Sequence, residues 1–357
     1  MIKLLHSADW HLDAPMSGYD DATLAFLKQE LLKVPEKIAA LCKAENCQLL
    51  LLSGDLFDGA YSKETFSLVY KTLAELKIPV FIAPGNHDYC RPGSVYLEES
   101  WPENVHIFRH AAMESVSLPE LDCKVYGAGF ENMDCPGLLE GFCAEGSERW
   151  HIGILHGDPT SASSDYCPIT AQQMRACSLD YLALGHIHKG ESVRHGEVLC
   201  AWPGCPMGKD MGETGDKGAL VVTLDEGTHA RFVSLDTPRF FDLETEVGED
   251  PAAAVAALLP PAQTNDFYRI TLTGYAAPID TDAICKSNTQ VRSLILRDQT
   301  LPEIDLWSAV GEDSLEGTFF RLLHDSLENS SEGYQKSVKL AARISRQILD
   351  GQEVKLP

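Results

Sequence analysis

Short motifs of carboxylate, amide and imidazole residues recur along the chain at spacings that suit metal binding. In its first third they contain Asp9 and His11, then Asp55 and Asp58, then Asn86 and His87. Mixed oxygen and nitrogen ligands of this kind suit manganese, iron or zinc better than calcium or magnesium. Asp and Asn are also favoured in ordinary turns, so each motif taken alone has a structural explanation as well as a chemical one.

Three histidines near the middle of the chain extend this pattern. His156 ends an apolar run that begins at His151, and His186 and His188 stand two residues apart after a second apolar run. Alternate side chains of an extended segment point to the same side, so His186 and His188 can serve one metal site. Because His151 lies at the opposite end of its run, we favour His156 as the ligand.

Each of these motifs follows a segment that is predicted to be a buried β-strand. The strands cover residues 2–8, 48–53 and 151–156 and the runs that begin at Ile78 and Tyr181. Helices are predicted over 63–77 and over 22–45, where Pro35 should kink or split the helix. Alternating strands and helices form parallel sheets, and such sheets bind ligands at the carboxyl ends of their strands.

We therefore expect seven candidate metal ligands to meet at the carboxyl ends of these strands: Asp9, His11, Asp55, Asn86, His156, His186 and His188. One divalent ion rarely needs that many protein ligands, whereas two ions that share Asp55 as a bridge would use them all. Two ions about 3.5–4 Å apart activate a water molecule and stabilise the oxygens of an in-line phosphoryl displacement. The residue set thus favours hydrolysis of a phosphate ester.

Composition narrows the classes of protein to consider. The 357 residues suffice for a large domain and a smaller one, and no stretch approaches the roughly 20 apolar residues of a membrane span. The 11 cysteines are scattered and the N-terminus lacks a signal-peptide layout, so we expect reduced thiols and a cytoplasmic location. A formal net charge of −24 opposes unaided binding to nucleic acid, because Lys and Arg supply most of the affinity for phosphate.

The sequence pattern changes near residue 237, where we expect a boundary between a domain of residues 1–237 and a domain of residues 238–357. Before it we predict strands over 192–201 and 218–235 and a rim loop over 202–206. After it we predict a small α+β domain with strands over 239–247, 267–274 and 291–296 and helices over 251–259, 315–328 and 334–349. This second domain has 11 basic and 19 acidic residues, so it is not a basic DNA clamp.

The motifs Asp-x-His, Gly-Asp-x-x-Asp, Gly-Asn-His-Asp, His-Gly and Gly-His-x-His occur in that order between residues 9 and 188. In this order they resemble the motifs of the calcineurin-like metallophosphoesterases, and the resemblance covers residues 1–235. It implies a four-layer α/β/β/α sandwich that binds two metal ions. By motif position, the first ion would take Asp9, His11, Asp55 and His188, and the second would take Asp55, Asn86, His156 and His186.

The same resemblance implies roles for two residues that are not expected to bind metal. A hydroxide activated by the two ions would attack phosphorus. His87 would protonate the leaving oxygen or stabilise the charged transition state. Asp58 would accept a hydrogen bond from His87 and fix its orientation.

Within the family, the appended α+β domain and three segments are similar to the SbcD and YhaO type of bacterial DNA repair exonucleases; the segments are residues 6–15, 181–189 and 202–204. This branch implies manganese-dependent cleavage of DNA, an SbcC-like coiled-coil ATPase as partner, and a homodimer. Two alternatives stay open at this point. One is a phosphodiesterase or phosphatase acting on a small nucleotide, with residues 239–357 as a lid. The other is a non-catalytic scaffold, which the intact ligand set and His87 disfavour.

Overall fold

The computed structural model describes residues 1–354, apart from the side chain of Glu332. The chain divides into two compact units, one of residues Met1–Phe240 and one that begins at Phe241. The assignment of a nuclease domain to residues 1–237 and of an accessory domain to residues 238–357 stays a prediction.

The first unit contains twelve strands, five α-helices and a short 3₁₀ helix at Pro119–Leu121. The strands are β1 (Ile2–Ser7), β2 (Leu49–Leu52), β3 (Val80–Ile82), β4 (Val105–Ile107), β5 (Glu114–Leu118), β6 (Cys123–Gly127), β7 (Trp150–His156), β8 (Tyr181–Gly185), β9 (Lys189–His195), β10 (Val198–Gly204), β11 (Gly218–Leu224) and β12 (Thr228–Ser234). The helices are α1 (Asp21–Leu32), α2 (Val34–Ala44), α3 (Lys63–Ala74), α4 (Val95–Glu98) and α5 (Ala171–Ala176).

These strands form two six-stranded sheets, with the orders β12-β11-β1-β2-β3-β4 and β5-β6-β7-β8-β10-β9. Strands β1 to β4 are parallel neighbours, as are β6, β7, β8 and β10. Buried side chains of both sheets share one core, with Leu51 and Phe81 from the first sheet and Ile152 and Ala183 from the second. Helix α2 contacts β1 and helix α5 contacts β9 and β10. The predicted four-layer α/β/β/α sandwich is confirmed.

The predicted effect of Pro35 is also confirmed. The segment 22–45 forms two helices, and Pro35 lies in the first turn of α2. Proline fits there because the first turn of a helix has no intrahelical partner for its N–H groups.

The β-structure predicted over 192–201 and 218–235 is confirmed, but the turn inside each range was not predicted. Residues 192–201 and 218–235 each form a hairpin of two strands, so the chain turns back at Gly196 and again at Gly227. Gly196 has φ of +67°, which a residue without a side chain adopts readily. The rim loop expected over 202–206 was placed too early, because Trp202–Gly204 belongs to β10. The short elements β5 and α4 were not predicted.

The second unit is a small α+β structure. It contains β13 (Phe240–Val247), α6 (Pro251–Leu258), β14 (Phe267–Ala276), α7 (Thr281–Ser287), β15 (Ser293–Asp298), β16 (Leu301–Pro302), α8 (Leu315–Glu328) and α9 (Glu332–Leu349). The sheet order is β13-β14-β15, and β16 also pairs with β14. Within residues 1–354, none of the helices combines the length and apolar character that a membrane span requires.

A buried polar network lies inside the first unit, beneath the carboxyl ends of its strands. The two ring nitrogens of His6 lie 2.7 Å from the hydroxyl of Tyr181 and 2.7 Å from the hydroxyl of Ser53. Burial lowers the pKa of His6 to about 3. The folded protein therefore holds this imidazole neutral, with one ring nitrogen donating and the other accepting.

We expect stability to depend on pH through His6. In the unfolded chain this group takes up a proton near pH 6.5, but in the folded protein only near pH 3. As the pH falls through this window the unfolded state binds more protons, so His6 lowers the free energy of unfolding by up to about 1.4 kcal/mol per pH unit. Denaturant titrations of wild type and His6→Asn should show a stability gap that narrows between about pH 7 and pH 4. A gap that stays constant would contradict the assignment.

Candidate metal centre

The loops after β1 and β2 continue to pair beyond the ends of the strands. The amide of Asp9 donates to the carbonyl of Gly54 (3.0 Å), and the amide of His11 donates to the carbonyl of Asp55 (2.9 Å). The second sheet reaches the same place at Gly185, where a side chain would overlap the carbonyl oxygen of Ser53. All seven predicted ligands are brought together at this end of the sandwich.

Asp55 lies between the two predicted groups of ligands. Its Oδ2 is 3.4 Å from Nε2 of His156 and 3.9 Å from Nε2 of His11. Its Oδ1 accepts a hydrogen bond from the amide of His87 (2.9 Å). One carboxylate oxygen therefore faces histidines that were predicted to bind different ions, as a bridging ligand would.

The first predicted group consists of Asp9, His11 and His188 around Asp55. Ligand atoms of Asp9, His11 and His188 lie within 4.8 Å of one another, and the Nε2 atoms of His11 and His188 are 3.0 Å apart. Asp9 accepts a hydrogen bond from the amide of His186 through Oδ1. Its Oδ2 is buried without a hydrogen-bond partner, and a divalent cation would satisfy it.

The second predicted group presents several lone pairs to the same space. Nδ1 of His156 lies 3.0 Å from the carbonyl oxygen of Ser53, which only accepts, so in the neutral ring Nδ1 carries the proton. The lone pair of Nε2 then faces Oδ1 of Asn86 at 2.9 Å and Oδ2 of Asp55 at 3.4 Å. Nδ1 of His186 is 3.2 Å from the same Asn86 oxygen. Electron-rich atoms this close together fit a bound cation.

Four of the seven candidate ligands have a strained backbone. The φ angles are +55° for Asp9, +48° for His11, +51° for Asp55 and +95° for His186. Residues with a side chain rarely adopt these angles, which cost about 1–3 kcal/mol each and concentrate at functional sites. The surrounding structure therefore holds these side chains in place at a cost to stability.

Burial shifts the pKa values of four of the same residues in the direction that favours their neutral forms. It raises the pKa of Asp9 to about 6 and, together with the charge of Asp88, raises the pKa of Asp55. It lowers the pKa of His11 and of His186 to about 4. Neutral imidazoles bind metals, and a divalent cation stabilises the charged form of buried carboxylates. The donor set of carboxylates, imidazoles and an amide fits manganese, iron or zinc.

His87 and Asp58 lie beside this group. Nδ1 of His87 is hydrogen-bonded to Oδ1 of Asp58, and the rings of His87 and His11 contact edge to face. The hydrogen bond with Asp58 raises the pKa of His87, while the nearby ring of His11 and the hydrogen bond with His87 lower the pKa of Asp58. The side chain of His87 is 45% exposed, so a substrate can reach it from solvent.

Two carboxylates support the site from positions that the motifs do not assign to metal. Asp88 is buried and accepts hydrogen bonds from the amides of Gly85 (2.8 Å) and Leu56 (2.7 Å). Glu213 contacts His188 and was not predicted. It lies 25 residues beyond His188 in a segment without periodic apolar residues, so only the three-dimensional structure associates the two.

Comparisons with known proteins bear on the family of this chain rather than on its individual site residues. The model of the calcineurin-like phosphoesterase family matches residues 2–190. This chain belongs to that family. Members use a dinuclear site of divalent metal ions, so the predictions of family and fold are confirmed, while the role of each site residue stays a prediction.

Relatives within the family include two bacterial proteins. The chain is 32% identical over 244 residues to the uncharacterized metallophosphoesterase YhaO of Bacillus subtilis (strain 168), covering 63% of this chain and 58% of that protein. It is 30% identical over 125 residues to the SbcD subunit of the nuclease SbcCD of Staphylococcus epidermidis, covering 33% of this chain and 31% of that protein. The matches thus span little more than half of one relative and a third of the other.

A solved structure of a dimetal phosphatase from Danio rerio is also similar. It has a TM-score of 0.46 and 13% sequence identity, and the match covers 66% of this chain and 97% of that chain.

We expect Asp55→Ala to lose both metal ions, because this variant removes the carboxylate that lies between the two predicted groups. Asn86→Ala should keep about one ion, since Asn86 contacts histidines of the second group only. The measurement is metal analysis of each purified variant after gel filtration with manganese. Equal retention by the two variants would contradict a bridging position for Asp55.

Proposed function

We propose that this chain is a phosphodiesterase that cleaves DNA as an exonuclease or endonuclease in DNA repair. The observation that carries the proposal is the arrangement of His87 and Asp58 beside seven converging ligands. Two divalent ions, most simply manganese with iron or zinc as alternatives, would activate a water and neutralise charge on the phosphoryl oxygens. Asp9, His11 and His188 would hold one ion, Asn86, His156 and His186 the other, and Asp55 both.

His87 would act on the oxygen that leaves phosphorus. Its raised pKa favours the imidazolium form, which can donate a proton to the leaving oxygen. Asp58 would hold the ring through Nδ1, which leaves Nε2 as the nitrogen that faces substrate. These roles require no movement of the buried ligands, because the side chain of His87 is already half-exposed.

The choice of DNA as substrate rests on similarity to one component of a nuclease over a third of this chain. The net charge of −24 opposes it, so local cations must contribute to binding. Lys209 is such a cation. Its positive charge opposes protonation of His11, His87 and His188, so it acts close to the candidate site. Its side chain is 20% exposed, so it can also contact a phosphate.

The acidic surface favours a second candidate function, a phosphodiesterase or phosphatase for a small nucleotide or phosphate ester. A short substrate carries few charges beyond the reacting phosphate, so repulsion by distant carboxylates would cost little at physiological salt, where the screening length is about 8 Å. The two functions share the same metal centre and differ in the length of the substrate.

A protein partner would reconcile an acidic chain with a DNA substrate. We propose an SbcC-like coiled-coil ATPase that binds α8 and α9, and a homodimer of the chain itself. Support comes from the apolar residues that these helices expose, among them Leu315 (89% exposed), Leu322 (63%) and Ile348 (60%). Such exposed side chains on amphipathic helices are typical of surfaces that bind another helix. A cytoplasmic location is part of the same proposal.

A substrate comparison with added manganese tests the proposal. The purified chain is offered linear double-stranded DNA, single-stranded DNA and a bis-phosphodiester reporter, with Asp55→Ala as the inactive control. Cleavage of DNA by wild type only would support the nuclease. Cleavage of the reporter but not of DNA, unchanged after a coiled-coil ATPase partner is added, would favour the small-ester enzyme.

We expect His87→Ala to keep its metal ions and to lose turnover by about 10²–10⁴-fold, the usual contribution of a general acid. His110→Ala is the matched control, since His110 is an exposed histidine that pairs with Glu131 and has no place in the mechanism. Turnover of the reporter and metal content are measured on both. Loss of metal from His87→Ala would show that His87 is a ligand and that its proposed role is wrong.

A further inference from the structure

Glu213 contacts His188 on the side of the ring that faces away from the candidate metal centre. Oε1 of Glu213 lies 2.5 Å from Nδ1 of His188. The other ring nitrogen, Nε2, is 3.0 Å from Nε2 of His11 within the ligand group. A single imidazole therefore joins the predicted ligands to a carboxylate that no motif includes.

Glu213 is itself held in a fixed position. Its Oε2 accepts a hydrogen bond from the amide of Lys209 (2.7 Å), and the ammonium of Lys209 lies 4.0 Å from Oε1. Both carboxylate oxygens of Glu213 are thus engaged, Oε1 by the ring of His188 and Oε2 by the amide of Lys209.

The segment between β10 and β11 also holds the main chain of His188. The carbonyl oxygen of His188 accepts a hydrogen bond from Nζ of Lys217 (3.3 Å) and one from the amide of Cys205 (3.4 Å). Residues 205–217 therefore contact this histidine at both its ring and its backbone. This fixes the ring more firmly than one side-chain contact would.

We propose that Glu213 is the positioning residue of His188. By accepting a hydrogen bond from Nδ1–H, it would keep the proton on Nδ1 and turn the lone pair of Nε2 toward the metal. Carboxylates in this relation to a ligating histidine set its tautomer and orientation and raise its basicity. The inference rests on the proposed function only in taking His188 as a ligand, and it holds for either substrate class.

A second reading of the same atoms is a separate metal site. Ligand atoms of His188, Cys205 and Glu213 lie within 4.8 Å of one another. Sγ of Cys205, however, points to the carbonyl oxygen of His188 at 3.8 Å, as a protonated thiol would. Glu213 already uses both oxygens as hydrogen-bond acceptors, so the contacts favour a supporting role.

The test measures manganese affinity by equilibrium dialysis rather than activity. It compares wild type with Glu213→Ala, Glu213→Gln, His188→Ala and the double variant of both positions. The matched control is Glu191→Ala, which removes the same charge from an exposed position on β9. Circular dichroism verifies that each variant is folded. If Glu213→Ala does not fold, the nearly isosteric variant Glu213→Gln takes its place.

We expect Glu213→Ala to lower the affinity for one manganese ion by about 10–100-fold. The affinity for the other ion should not change, because His188 belongs to one predicted group only. Glu191→Ala should bind as wild type does. The double variant should bind no more weakly than His188→Ala, since a residue that acts through His188 has no effect once His188 is gone.

Three results would overturn the proposal: unchanged affinity in both Glu213 variants, equal weakening of both ions, or a double variant weaker than His188→Ala. If His188→Ala alone binds both ions normally, the ligand assignment fails together with this inference. If the affinities behave as expected but no ester is cleaved, only the proposed function fails.

Discussion

The carboxylate of Asp88 joins the two loops that carry the central residues of the site. It accepts hydrogen bonds from the amides of Gly85 and Leu56 and from the hydroxyl of Tyr96, the last at 2.6 Å. Hydrogen bonds to a charged acceptor are stronger than neutral ones, and a buried acceptor of this kind fixes the groups around it. Because Asp55 and His87 lie in these loops, the distance between the candidate ligands and the candidate acid depends on Asp88.

This arrangement is unfavourable for the protein by itself. Three carboxylates, those of Asp9, Asp55 and Asp88, are at least 95% buried within one group of loops, and several neighbouring backbones have positive φ angles. Buried charge without compensation is costly. Divalent ions bound there would supply the missing positive charge, and binding to the folded state alone would raise stability. Metal binding at these residues would therefore be coupled to the stability of the loops.

The parts of the molecule that follow from local rules were predictable from the sequence. An apolar run that ends in a polar motif marks a parallel strand and its carboxyl end, so Asp9, Asp55 and Asn86 were placed correctly on the fold. The hairpin turns at Gly196 and Gly227 were missed because apolar residues continue on both sides of the turn. Glu213 was missed for another reason: its contact with His188 depends on how a long connection folds back, which no residue spacing encodes.

Charged groups near the site determine which substrates it can bind more strongly than the net charge of the chain does. At physiological salt a carboxylate on the far surface is screened over about 8 Å, so the charge of −24 mainly slows the approach of a polyanion. Near the centre, positive charge would come from Lys209 and from two divalent ions. Affinity for DNA falls with salt in proportion to the number of phosphates contacted. An enzyme that contacts few phosphates gains little affinity from chain length, so a long substrate must be held by a second protein surface.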